Sequence, residues 1–158
     1  MFKKLIEKIY LSFSNNLVYF DQITGCKTRF YYDNVVKAKY QKRECCIVYI
    51  DINNLKKVND NDGHYYGTKL IKNVSKALLK LHNVYEICRI GGDEFVLVCD
   101  ILFDDSELKE IDNISYGIVY KETYEDISSA VKKADNEMYK MKRRIKEEMT
   151  WLDITGIM

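Results

Sequence analysis

Asp93 and Glu94 follow two adjacent glycines, Gly91 and Gly92, in the stretch CRIGGDEFVLV at residues 88–98. Apolar, β-favouring runs flank these four residues, so the stretch predicts a strand, a tight turn and a second strand. Glycines at such a turn admit positive φ and close approach, and the carboxylates sit where the second strand leaves. Two carboxylates at a hairpin tip suit a hard cation, while a solvent-facing acidic turn fits the same residues, because turns favour these types. A third carboxylate, Asp51, abruptly ends the apolar run CCIVYI at residues 45–50. Lys142 and Lys146 stand one helical turn apart on a predicted long helix, sharing a face that could grip a triphosphate or simply face water.

These groups meet only if the intervening elements bring them together. Helical spacing of Phe30, Val35 and Ala38 predicts a helix over 28–40, and the run at 45–50 predicts a buried strand feeding a polar loop. Leu70, Ile71, Val74, Ala77, Leu78 and Leu81 predict an amphipathic helix over 66–81. The hairpin follows, then a short polar piece, a strand over 114–120 and a helix over 124–146. The order α-β-α-β-β-α-β-α has a βαββαβ centre, the split, ferredoxin-like arrangement of the α/β (α+β) class. Its first and third strands are central, with the carboxyl end of the first beside the hairpin turn. Asp51 is therefore expected near Asp93 and Glu94, as a Mg²⁺ site that keeps positions for water and substrate phosphates.

The chain of 158 residues, 47% hydrophobic and 31% charged, suits one domain with a proper core. A formal net charge of +1 gives no global field for nucleic acid or an anionic membrane, so any phosphate site is local. The five cysteines, Cys26, Cys45, Cys46, Cys88 and Cys99, form no C-x-x-C pair, which suggests free thiols in a reducing, cytoplasmic setting. No stretch has the length of a transmembrane helix. Near the amino terminus, Lys3, Lys4, Glu7 and Lys8 interrupt any export signal, while Phe2, Leu5, Ile6, Ile9, Tyr10 and Phe13 mark one face of an amphipathic helix. That face packs on its own domain, forms a seam with a second copy, or lies on a membrane surface.

Five ordered motifs carry a family resemblance. Beside GGDEF at residues 91–95 stand DQITGCKTRF at 21–30, DINNLKKVNDNDGHYYGT at 51–68, ISYGI at 114–118 and ADNEMYKMK at 134–142. Together they resemble the GGDEF domain, the catalytic domain of diguanylate cyclases. The resemblance implies a trimmed cyclase domain over 21–158 preceded by an amphipathic helix and linker over 1–20. It implies two Mg²⁺ or Mn²⁺ ions per site, held by Asp51, the carbonyl of Ile52, Asp93 and Glu94. Gly91 and Gly92 would let phosphates approach the backbone, Asn59 with Thr68 would face the purine base, and Lys142, Lys146 and Lys56 would face phosphates. The implied reaction condenses two purine nucleoside triphosphates, one held by each chain of a homodimer, into a 3′,5′-linked cyclic dinucleotide without a template. His64 matches the motif's histidine and has no metal partner by spacing, so it is structural.

The departures matter as much as the matches. Asn53 replaces the second aspartate of D-x-D, and Lys146 replaces an arginine, trading a planar fork for a point charge. The stretch between Phe95 and Ser115 is short, so its helix must shrink to about two turns. His82, Asn83, Val84 and Tyr85 occupy the window of the family's R-x-x-D inhibitory motif, so product inhibition there is not expected. Thr68 replaces the aspartate that, with the asparagine at 59, accepts hydrogen bonds from guanine. A threonine hydroxyl both donates and accepts, so ATP use and mixed-base products compete with cyclic di-GMP. A catalytically silent nucleotide-binding signalling module is the other alternative. A polymerase palm shares the metal logic, but the chain has no basic channel and no room for fingers or thumb.

Overall fold

The computed structural model describes Ser14 and residues 17–155, with side chains up to Trp151. The amphipathic segment at 2–13 lies outside the described residues. In chain order the elements are β1 (Lys27–Thr28), helix α1 (residues 29–40, with a π-helical turn at Tyr32–Val36), β2 (Cys45–Ile52), α2 (Leu55–Asp62), α3 (His64–Leu78), β3 (Val84–Arg89), β4 (Glu94–Cys99), α4 (Ser106–Lys109), β5 (Ile114–Lys121) and α5 (Ile127–Thr155). The strands form one sheet in the order β1-β3-β4-β2-β5. β1 pairs parallel with β3, and the other neighbours are antiparallel. Strands β2 to β5 with their connecting helices make the expected ferredoxin-like βαββαβ unit, β2 and β4 being central.

Every residue of β2 is buried because the strand has neighbours on both edges and helices on both faces. Its alternation divides the core in two. Cys46, Val48, Ile50 and Ile52 pack with Leu55 of α2 and with Ile71, Val74 and Leu78 of α3. Cys45, Ile47 and Tyr49 pack with Tyr32, Val36 and Tyr40 of α1 and with Ile127, Ala130, Ala134 and Met138 of α5. Each fully buried aliphatic side chain contributes about 1.5–3 kcal/mol, so a continuous apolar run ending in a charge is strongly placed. All five cysteines are buried and free, members of these cores.

α5 packs tightly against the sheet at Gly117. A Cβ at Gly117 of β5 would lie 2.1 Å from the Ala134 carbonyl oxygen and 2.4 Å from the Met138 nitrogen, so only glycine allows this approach. The helix is started by Asp126, whose Oδ2 accepts the Ser129 N–H at 2.9 Å.

Three local expectations need correction. The polar stretch after β2 is a helix, α2, entered through Asn54 at φ 60° and left through Gly63 at φ 93°. Its lysines, asparagines and aspartates hide that helix because only Leu55 is buried. The helix after β4 is a single turn of four residues rather than two turns. The hairpin connection spans residues 90–93, with the Ile90 N–H bonded to the Glu94 carbonyl at 2.9 Å, and neither Gly91 nor Gly92 takes positive φ.

Candidate active site

The register of the two central strands sets the site. Asp51, near the end of β2, is paired with Glu94, the first residue of β4, and on its other side with Ser115 of β5. The Ile52 N–H donates to the Asp93 carbonyl at 2.9 Å, which ties the hairpin to the strand end. Asp51 is 8% exposed. Its Oδ1 accepts from Lys142 Nζ at 2.6 Å, a contact that reaches down from α5. Burial pushes the Asp51 carboxyl above the usual carboxylate range, Lys142 pulls it back, and the charges of Asp93 and Glu94 push it up.

Glu94 is held from two sides. Tyr49 donates its hydroxyl to Oε1 at 3.0 Å, and a Cβ at Gly91 would lie 2.3 Å from Oε2. The first glycine of the pair thus makes room for the carboxylate three residues on, whereas a Cβ at Gly92 would meet nothing within 4 Å. Burial pushes the Tyr49 phenol well above its usual range, reinforced by its bond to Glu94 and by the neighbouring charges of Asp135 and Asp51. Asn53 accepts from the Ser115 hydroxyl at 2.8 Å, so it braces β5.

A latch outside the expected residues holds the hairpin. Arg89 donates from Nη1 to Asp21 Oδ1 at 3.0 Å and from Nη2 to the Gly92 carbonyl at 2.7 Å. Asp21 Oδ1 also accepts the Thr24 hydroxyl at 2.7 Å and the Thr24 N–H at 2.9 Å. Burial pushes the Asp21 carboxyl up, but the Thr24 hydroxyl and Arg89 outweigh it and hold it below its usual range. The signal for this pair was an arginine two residues before the glycines and an aspartate opening the first motif; their long separation concealed the contact.

On the other side, α2 and α3 place Asn59 against Gly67: a Cβ there would lie 2.0 Å from Asn59 Oδ1. Thr68 follows directly and is half-buried. Lys56 and Lys146 are exposed, and Lys146 stands one turn beyond Lys142 on α5. His64 opens α3 and is exposed. The structure therefore gathers Asp51, Asp93, Glu94 and Lys142, sets Asn59 against Gly67, the residue before Thr68, and leaves Lys56 and Lys146 on the surface.

Among the described residues, no group of three or more His, Cys, Asp or Glu is arranged to hold a metal alone. The donor set nonetheless fits Mg²⁺, which takes one or two carboxylates and completes its shell with water and phosphate oxygens. Asp51 already draws an ammonium into contact, as a buried carboxylate facing other carboxylates should.

The sequence model of the family described as "Diguanylate cyclase, GGDEF domain" matches residues 18–102, more than half of the chain. The chain belongs to the GGDEF domain family. This GGDEF domain is 36% identical over 96 residues to the "Probable diguanylate cyclase DgcT" of Escherichia coli (strain K12), a match covering 58% of this chain and 21% of that protein. It is 32% identical over 85 residues to the "Diguanylate cyclase DgcS" of Shewanella oneidensis, covering 50% and 29%. A shorter match of 53 residues at 45% identity joins it to the "Cyclic di-GMP phosphodiesterase PdeR" of Escherichia coli, covering 33% and 8%. The matched segments span less than a third of each of these three proteins. Its fold is similar to that of a solved structure of the coiled coil and GGDEF domain of DgcB from Caulobacter crescentus in complex with c-di-GMP, with TM-score 0.76, 20% identity, and coverage of 89% of this chain and 90% of that one.

Proposed function

We propose that this GGDEF domain condenses two purine nucleoside triphosphates into a 3′,5′-linked cyclic dinucleotide, releasing pyrophosphate. The observation that carries the reading is the direct cross-strand pairing of Asp51 with Glu94, with Lys142 above it and Asn59 set against Gly67 on the neighbouring helices. Residues 21–158 form the cyclase unit and residues 1–20 lead into it. A cytoplasmic setting supplies the nucleotides and keeps the five thiols reduced.

Asp51, the Ile52 carbonyl, Asp93 and Glu94 hold Mg²⁺ or Mn²⁺, two per site. When bound, the metal lowers the pKa of the attacking 3′-hydroxyl and neutralises charge on the phosphates. The open space at Gly92 admits a phosphate close to the backbone. Lys142 and Lys146 grip the β- and γ-phosphates, with Lys56 on the same approach. Asn59 and Thr68 hold the base. Each chain carries one nucleotide, so two chains face each other. The 3′-oxygen of one nucleotide forms a bond to the α-phosphorus of the other, the α–β phosphoanhydride bond breaks, and the reciprocal step closes the ring.

Thr68 favours relaxed base choice. In place of a carboxylate, its hydroxyl can donate to adenine N1 or accept from guanine N1–H. Losing a charge-assisted bond to guanine costs about 1.5–3 kcal/mol, roughly ten- to a hundredfold in discrimination. The test is incubation with Mg²⁺ or Mn²⁺ and GTP, ATP or both, with products identified by mass. Products containing adenine support the relaxed pocket. Exclusive use of GTP, unchanged by Thr68→Asp, refutes it. Absence of any cyclic product under all three conditions leaves a nucleotide-binding signalling module.

A further inference from the structure

We infer that Tyr49 is a positioning residue for the metal site, its hydroxyl deciding how the Glu94 carboxylate is presented to a divalent cation. The inference rests on the reading of Asp51, Asp93 and Glu94 as metal ligands. Tyr49 precedes Asp51 by two residues on β2 and so shares its face. It is paired with Val96 of β4, two residues beyond Glu94, which makes Tyr49 and Glu94 diagonal neighbours across the ladder. The ring reaches along that diagonal, and its hydroxyl donates to Glu94 Oε1 at 3.0 Å.

The location makes the hydroxyl informative. Tyr49 is 8% exposed and packs among Ile47, Val96, Ala134 and Met138, where a phenylalanine would fill the same volume. A hydroxyl in such a core is unfavourable unless it is bonded, and the bond it makes is to a proposed ligand rather than to the backbone. Oε1 is engaged by the phenol while Oε2 lies against Gly91, so a long, flexible carboxylate is oriented before any cation arrives. A neutral phenol also brings no positive charge to compete with a cation, unlike the ammonium of Lys142 on Asp51. Hydrogen-bonded partners of ligating carboxylates characteristically set metal affinity from outside the coordination shell.

The experiment measures Mn²⁺ binding to the full chain without nucleotide, by electron paramagnetic resonance of free Mn²⁺, for the unaltered protein, Tyr49→Phe, Glu94→Gln and the double variant. Melting curves run alongside. Tyr49→Phe keeps the ring and is expected to weaken Mn²⁺ binding at least about tenfold. In the double variant it adds nothing to Glu94→Gln, because the phenol acts only through Glu94. If Tyr49→Phe binds Mn²⁺ normally while Glu94→Gln weakens it, the positioning role is wrong and the metal site stands. An equal loss from Tyr49→Phe in both backgrounds likewise overturns it, marking a general packing effect. If neither single variant alters Mn²⁺ binding, the metal-site reading itself fails.

Discussion

The Lys142 ammonium lies 2.6 Å from Asp51 Oδ1, joining the middle of α5 to the end of the central strand. Burial still holds the Asp51 carboxyl above its ordinary value of 3.8 despite this partner. A carboxyl that binds its proton more tightly folded than unfolded lowers stability above its folded pKa, and the penalty fades as pH falls through that value towards 3.8. Asp51→Asn is therefore expected to raise the urea midpoint of the metal-free protein at pH 7. Its advantage should shrink on acidification, and a midpoint difference independent of pH would refute the argument.

Loss of function follows the opposite direction. Asp51→Ala and Glu94→Ala are each expected to reduce cyclic dinucleotide formation more than about a hundredfold, with unchanged far-ultraviolet circular dichroism. Full activity in either variant removes the metal assignment.

Two glycines separate packing from binding. Gly117→Ala drives a methyl into the α5 backbone, so it should cost at least about 1–3 kcal/mol in denaturant unfolding and lift Lys142 away from Asp51. Gly67→Ala meets only the end of the Asn59 side chain, and a helix interior gains up to about 1 kcal/mol from that substitution. It should leave stability level or higher while raising the nucleotide KM roughly tenfold, the worth of one displaced hydrogen bond.

Lys121 is fully buried in β5 and donates to the carbonyls of Gln41 at 3.0 Å, Arg43 at 3.1 Å and Glu122 at 2.9 Å. Lys121→Met strands those acceptors, two after α1 and one after β5, and should cost on the order of 3 kcal/mol, read from the urea midpoint. A loss below about 0.5 kcal/mol would show that water replaces the ammonium.

Activity per chain is expected to rise with protein concentration, since two half-sites must meet. Removing residues 1–13 should weaken that rise if their apolar face joins two chains. Rates strictly proportional to concentration in both proteins would count against paired half-sites.

Much of this was legible in the residues because it depends on short-range pattern. An apolar run ending at Asp51 and a pair of runs interrupted by Gly91 and Gly92, the second starting at Phe95, dictate three strands, and the right order of elements then places Asp51 beside Glu94. Helix α2 escaped because its stability comes from Leu55 and from α3, not from an apolar stripe of its own. Gly117 read as one letter of a motif until the approach of α5 gave it a reason. Tyr49 looked like one more core residue, and Arg89 and Asp21, 68 residues apart, had no visible connection. Hydrogen bonds across strands depend on register and on where a side chain's last atom falls, and those are decided only when distant segments pack together.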